Sequence, residues 1–110
     1  MDLVVQVKNE EENQITIAVE GEVDVYTAPQ LREKLLPLCD GKNRIVVDLT
    51  HVDYIDSTGL GVLIGAYKAQ RATSGRFVIS GMNARLSRLF KITGLNEIME
   101  IEDKVQEDGR

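Results

Sequence analysis

The sequence predicts an α/β fold, a mixed sheet of four to five strands packed with about three to four helices. Three observations carry this. Two β-branched runs open the chain, the second alternating cleanly between apolar and polar positions. Beyond them the hydrophobic period switches repeatedly between strand-like runs and helical spacing. Finally, no repeat, linker or low-complexity stretch interrupts residues 1–110, and 43% hydrophobic residues suffice for one domain with its own core.

Residues 3–8 and 14–20 are the first two strands, with the polar run 9–13 as the turn of an antiparallel hairpin. Gly21 is expected to end the second strand and residues 22–26 to form a loop. Thr27-Ala28-Pro29-Gln30 reads as a helix start. Thr27 would accept from the Gln30 amide, the Gln30 side chain would reach back, and Pro29 falls where its missing donor is harmless. Leu31, Leu35 and Leu38 form the buried stripe of that helix, which Pro37 and Asp40-Gly41 close.

Residues 44–49, a short β-branched run, predict a strand buried on both faces, followed by a loop over 51–56. Leu60, Leu63, Ile64 and Tyr67 then recur at helical spacing, giving a second helix from about Ser57 to Ser74 with Gly75 as its stop. Residues 76–80 are the next strand. Asn83 caps a third helix carrying Leu86, Leu89, Phe90 and Ile92 and ended by Gly94. Residues 98–101 fit either a last edge strand or part of a terminal helix.

Charge and composition exclude several partners. A net charge of −5 and a pI of about 4.8 disfavour nucleic acid and anionic membrane, both of which need a basic face. Glu97, Glu100, Glu102, Asp103, Glu107 and Asp108 concentrate acid at the C-terminus, read as a solvated end. Residues 1–6 lack the features of a secretory signal, and the apolar stretch 59–66 is too short to span a bilayer. The lone Cys39 precludes an internal disulfide and fits a reducing compartment, so a cytoplasmic protein is expected.

Catalytic constellations are missing. His51 opens a loop and reads as a polar surface residue, and Cys39, among leucines, reads as a small core filler. Gly59-Leu60-Gly61 is no phosphate-loop fingerprint, because no Lys follows it and its glycines lie inside a helix. Asp24, Asp53 and Asp56 lack the loop spacing of a calcium site, and no base stands ready to activate Ser57 as a nucleophile. No enzymatic activity, metal or cofactor is expected.

The stretch 56–63, Asp-Ser-Thr-Gly-Leu-Gly-Val-Leu, is where strand period gives way to helix period. Ser57 falls where the first amides of a helix have no intrahelical partner. Its hydroxyl can cap the helix, with Asp56 as a flanking acid, or carry a phosphate that the amides and dipole would favour. Gly59, Gly61 and Gly65 each cost up to about 1 kcal/mol relative to Ala inside a helix. They are there either for close packing on the sheet or to leave the first turn bare for another protein.

Together with residues 21–29, Gly-Glu-Val-Asp-Val-Tyr-Thr-Ala-Pro, the stretch 54–63 resembles the bacterial anti-sigma factor antagonists, the single-domain members of the STAS family. The likeness runs essentially end to end, includes residues 31–35, 88–90 and 93–95, and is nearest the antagonists of the sigma-B general stress response of Gram-positive bacteria. It implies a single STAS-type domain and a partner-switching cycle. The unmodified antagonist binds an anti-sigma factor that is also a serine kinase, which frees the sigma factor. The kinase phosphorylates the serine matching Ser57, and a PP2C-type phosphatase reverses it. Asp24 matches the family's acidic position beside that serine, while Asp56, Thr58, Gly59, Leu60 and Gly61 complete its surroundings. Thr27 stands where a Ser is common. The rival readings are a scaffold or transport-complex subunit of the same fold, in which Ser57 is only a cap, and a nucleotide-binding domain.

Overall fold

Alternation of apolar and polar residues builds the sheet from one edge inward. The computed structural model describes residues 3–102, so Asp103, Glu107 and Asp108 of the acidic end lie outside it. Strands β1 (Leu3–Glu11) and β2 (Gln14–Val23) pair antiparallel. Their connection is only Glu12 and Asn13, with Asn13 at φ 70°, a left-handed conformation that Asn tolerates. The expected turn at 9–13 is therefore too long, because residues of an edge strand can pair through the backbone without being apolar. Strands β3 (Arg44–Ile55), β4 (Phe77–Ser80) and β5 (Glu100–Glu102) follow in parallel, giving one sheet in the order β1-β2-β3-β4-β5.

Helix α1 (Ala28–Leu35), a 3-10 turn (Leu36–Leu38), α2 (Ser57–Ala72), α3 (Ala84–Thr93) and α4 (Leu95–Ile98) connect these strands. One face of the sheet, with Ile17, Ile45, Val47 and Ile79, joins Leu31, Leu35, Leu63, Leu86 and Phe90 in one core cluster. The opposite face carries Val46 and Val78, which are buried but stand outside that cluster. Arg44 closes over this face. It donates to Gln14 on β2 at 2.6 Å and reaches across β4 to Glu102 on β5 at 3.2 Å. The strand at 44–49 is thus buried on both sides as expected, but one side is shielded by long polar side chains.

Several local expectations are corrected. Gly21 does not end β2. It sits at φ 116° beside a register shift between Gly21 and Glu22, and pairing continues to Val23. Likewise β3 runs through 51–55. Two irregularities against β2 leave Leu49, Val52 and Ile55 buried at intervals of three, a spacing that hides the strand from a period-two reading. Thr27 does precede α1, but no capping box forms, since Gln30 donates instead to the Leu3 carbonyl at 2.7 Å. Helix α2 ends at Ala72, and the left-handed residue after it is Ser74 (φ 66°) rather than Gly75. Leu38 is only half-buried and Ile92 is 74% exposed.

Gly75 has a different reason. An added Cβ would lie 2.6 Å from the Gln70 amide carbon. Gln70 is fully buried and fastens the base of α2 to the sheet. Its Nε2 donates to the carbonyls of Asn43 and Arg76, and its Oε1 accepts the Gly41 amide at 3.0 Å. Residues 98–101 hold both expected elements, since α4 ends at Ile98 and β5 begins at Glu100.

Candidate functional site

The parallel pairing of β2 and β3 brings the two sequence motifs together. Val23 and Ile55 are register partners, and the Asp56 amide donates to the Val23 carbonyl at 3.1 Å. The chain leaving β2 at Asp24 and the chain leaving β3 at Asp56-Ser57 therefore emerge side by side. They do so at the carboxyl edge of the parallel strands, where open α/β sheets carry their sites.

At that edge α2 starts. Asp56, not Ser57, is the N-cap: its backbone is extended and its carboxylate accepts the Gly59 amide at 3.0 Å. Ser57 is the first helical residue, and both it and Thr58 are exposed. Neither the Ser57 nor the Thr58 amide has an intramolecular acceptor among the described residues. The hydroxyl thus stands on the positive end of a 16-residue helix with two donors beside it. Leu60 anchors this turn in the core at 7% exposure.

The glycines divide. A Cβ on Gly59 would meet Val23 Cγ1 at 2.7 Å and Ile55 Cγ2 at 2.9 Å, so Gly59 lets α2 start close against both strands. Gly61 and Gly65 face open space, with nothing within 4 Å of an added Cβ, so close packing does not explain them. Both are exposed and leave a bare helix surface leading away from Ser57.

Asp24 organises the neighbouring loop. Its Oδ1 accepts the amides of Tyr26 at 2.9 Å and Thr27 at 3.0 Å, and its own amide donates to Thr27 Oγ1 at 2.9 Å. The Thr27 hydroxyl, itself buried, donates to the Glu22 carbonyl at 2.7 Å. The Thr27 amide above all, helped by the Tyr26 amide and the Thr27 hydroxyl, holds the Asp24 carboxyl below its ordinary pKa of 3.8 against partial desolvation. Asp24 Oδ2 has no partner among the described residues. Thr27 is therefore the side chain that locks this loop, a role that its helix-start pattern concealed.

Other candidates stay apart. His51 and Asp53 lie exposed on β3. Cys39 is buried, and desolvation, with Asp40 beside it, pushes its thiol up to about 11, which suits a core residue and not a nucleophile. Among the described residues no three His, Cys, Asp or Glu side chains gather as metal ligands, and no helix is long and apolar enough to cross a membrane. Sequence reading passed over the apolar side chains that flank the site. Tyr26 is 86% exposed, Val25 56% and Tyr54 45%. Their signal was an apolar pair inside the Asp24 loop and a Tyr immediately before the switch of period.

Residues 5–108 match the STAS domain family, and the chain belongs to it. The chain is 45% identical over 105 residues to the anti-sigma-B factor antagonist of Listeria monocytogenes, covering 94% of this chain and 91% of that protein. To the anti-sigma-B factor antagonist of Bacillus subtilis it is 44% identical over 104 residues, covering 94% of each. In fold it is similar to the anti-sigma factor antagonist SpoIIAA in its unphosphorylated form, with a TM-score of 0.72, 19% identity and coverage of 93% of this chain and 90% of that one. The phosphorylated form of Bacillus SpoIIAA gives a TM-score of 0.73 at 21% identity, covering 94% and 93%.

Proposed function

We propose that this chain is an anti-sigma factor antagonist that works by partner switching. Unphosphorylated, it binds an anti-sigma factor that is also a serine kinase, and the sigma factor is released. The kinase transfers a phosphoryl group to Ser57, binding is lost, and a PP2C-type phosphatase restores the active form. The chain is the substrate of this cycle and needs no cofactor, nucleic acid or membrane for it.

One observation carries the reading. Ser57 is exposed at the first position of α2, its amide and that of Thr58 have no acceptor among the described residues, and Asp56 rather than Ser57 caps the helix through the Gly59 amide. A phosphate there brings about −1.5 to −2 charges to a positive helix end, which the fold accommodates. The cost falls on the complex, where a docked partner would desolvate that dianion beside Asp56 and the Asp24 loop. Support comes also from the 45% identity to an anti-sigma-B factor antagonist and from the existence of a phosphorylated SpoIIAA.

The test is incubation of the purified chain with ATP and the anti-sigma factor of the same organism, followed by mass spectrometry of its peptides. One phosphate on the peptide holding Ser57, absent from Ser57→Ala, is expected. Modification of Thr58 instead, or none at all, would refute the assignment.

A further inference from the structure

A groove of about 260 Å³ lies between the end of β3 and α3, lined by Tyr54, Ile55, Arg85, Arg88, Leu89 and Ile92. We propose that it is a docking slot for an acidic–apolar segment of the anti-sigma factor, a second contact beside the Ser57 switch. The inference rests on the partner-switching reading above.

Position is the first argument. Ile55 lines the groove and also stands against Gly59 in the first turn of α2, so the slot shares a lining residue with the helix turn that begins at Ser57. An interface centred on Ser57 would reach it through the end of β3, where Tyr54 and Ile55 precede the Asp56 cap.

Shape and charge decide the occupant. Ile92 is 74% exposed and Tyr54 45% exposed, a large apolar rim around a small slot. Around it α3 reads Ala-Arg-Leu-Ser-Arg-Leu-Phe-Lys-Ile-Thr, with Arg85, Arg88 and Lys91 and no acid, in a chain whose net charge is −5. None of these three cations forms an ion pair among the described residues. Arg85 stands in the first turn of α3, where a cation opposes the helix dipole, so the fold itself gains nothing from it. A segment that inserts one apolar side chain and flanks it with carboxylates satisfies both features. Since the slot does not include Ser57, it would contribute in both phosphorylation states and leave the switch to the helix end.

Binding of the same organism's anti-sigma factor, measured across a salt series, tests this with the full-length chain. Arg85→Glu/Arg88→Glu should weaken affinity by at least about tenfold and flatten its salt dependence. Ile92→Ser should weaken it by about fivefold without changing the salt slope. Melting curves confirm that these exposed substitutions leave the fold intact. Unchanged affinity in both variants, with the wild type still binding and still released by phosphorylation, would overturn the slot and leave partner switching standing. No binding by the unphosphorylated wild type would overturn both. Adsorption of the wild type to phosphatidylglycerol vesicles, lost in the double variant while anti-sigma affinity is kept, would replace the slot with a lipid-binding surface.

Discussion

The Asp56 carboxylate accepts the Gly59 amide at 3.0 Å, and this one bond decides what Ser57 is free to do. With the cap supplied by its neighbour, the serine hydroxyl has no hydrogen bond among the described residues. Ser57→Ala should therefore change stability by no more than about 0.5 kcal/mol, whereas Asp56→Ala should cost about 1 kcal/mol. Chemical denaturation of both variants checks this, and a larger loss for Ser57→Ala would return the cap to the serine.

The three helix glycines should behave oppositely when replaced by alanine. Gly59→Ala forces a methyl against Val23 and Ile55, backbone-held neighbours that cannot move far, and is expected to destabilise by about 1–3 kcal/mol. Gly61→Ala and Gly65→Ala meet open space and should each stabilise by up to about 1 kcal/mol. If the exposed pair is kept bare for a partner, Gly61→Ala will weaken anti-sigma binding while raising the melting temperature.

Asp24 holds its loop through one oxygen, Oδ1, so its two oxygens can be tested apart. Its folded pKa is lowered, so the carboxylate contributes stability above the ordinary value of 3.8 and loses it as pH falls below. Asp24→Ala should lower the melting temperature at pH 7 and flatten the acid limb of the stability curve below about pH 4. Asp24→Asn keeps an oxygen for the Tyr26 and Thr27 amides but replaces free Oδ2 by a donor. It should fold like the wild type at pH 7 and be phosphorylated more slowly. Equal phosphorylation rates would confine Asp24 to holding its loop.

Gln70→Leu tests the staple at the other end of α2. The substitution removes the partners of the Gly41 amide and the Asn43 carbonyl in a part-buried site, while the Arg76 carbonyl keeps the Ile45 amide at 2.9 Å. At about 1–3 kcal/mol for each of the two unsatisfied groups, a loss of at least about 2 kcal/mol is expected. Thermal melting should fall by at least about 8 °C in a domain of this size. Anti-sigma binding at low temperature should survive, because the staple is remote from Ser57.

Periodicity revealed the architecture wherever one physical rule acted alone. The alternation of β2, the Asn83 cap and the left-handed Gly94 after α3 all stand as read. It missed where two rules competed. In β3 the irregularities against β2 turned a period of two into a period of three, so His51 to Ile55 looked like a loop. At α2, Asp and Ser are both good caps and adjacent, and only the Asp56 backbone, extended at ψ −174°, distinguishes them. Gln70 gave no sequence signal, because a polar residue on a helix reads as solvated until its three backbone partners are in view. The sequence showed the two motifs only apart, and the Val23–Ile55 register is what sets the ends of their strands side by side.

Phosphorylation of Ser57 should abolish partner binding without loosening the domain, and comparing the two forms tests this most directly. The measurement pairs thermal melting with affinity for the anti-sigma factor in the presence of ADP. A dianion on the first turn of α2 predicts a melting temperature unchanged or slightly raised, by the equivalent of about 0.3–1 kcal/mol. The interface cost predicts an affinity loss of about 3–4 kcal/mol, several hundredfold, expressed mainly as faster dissociation. A large drop in melting temperature would make the switch a local unfolding of α2, and an unchanged affinity would contradict the switch altogether.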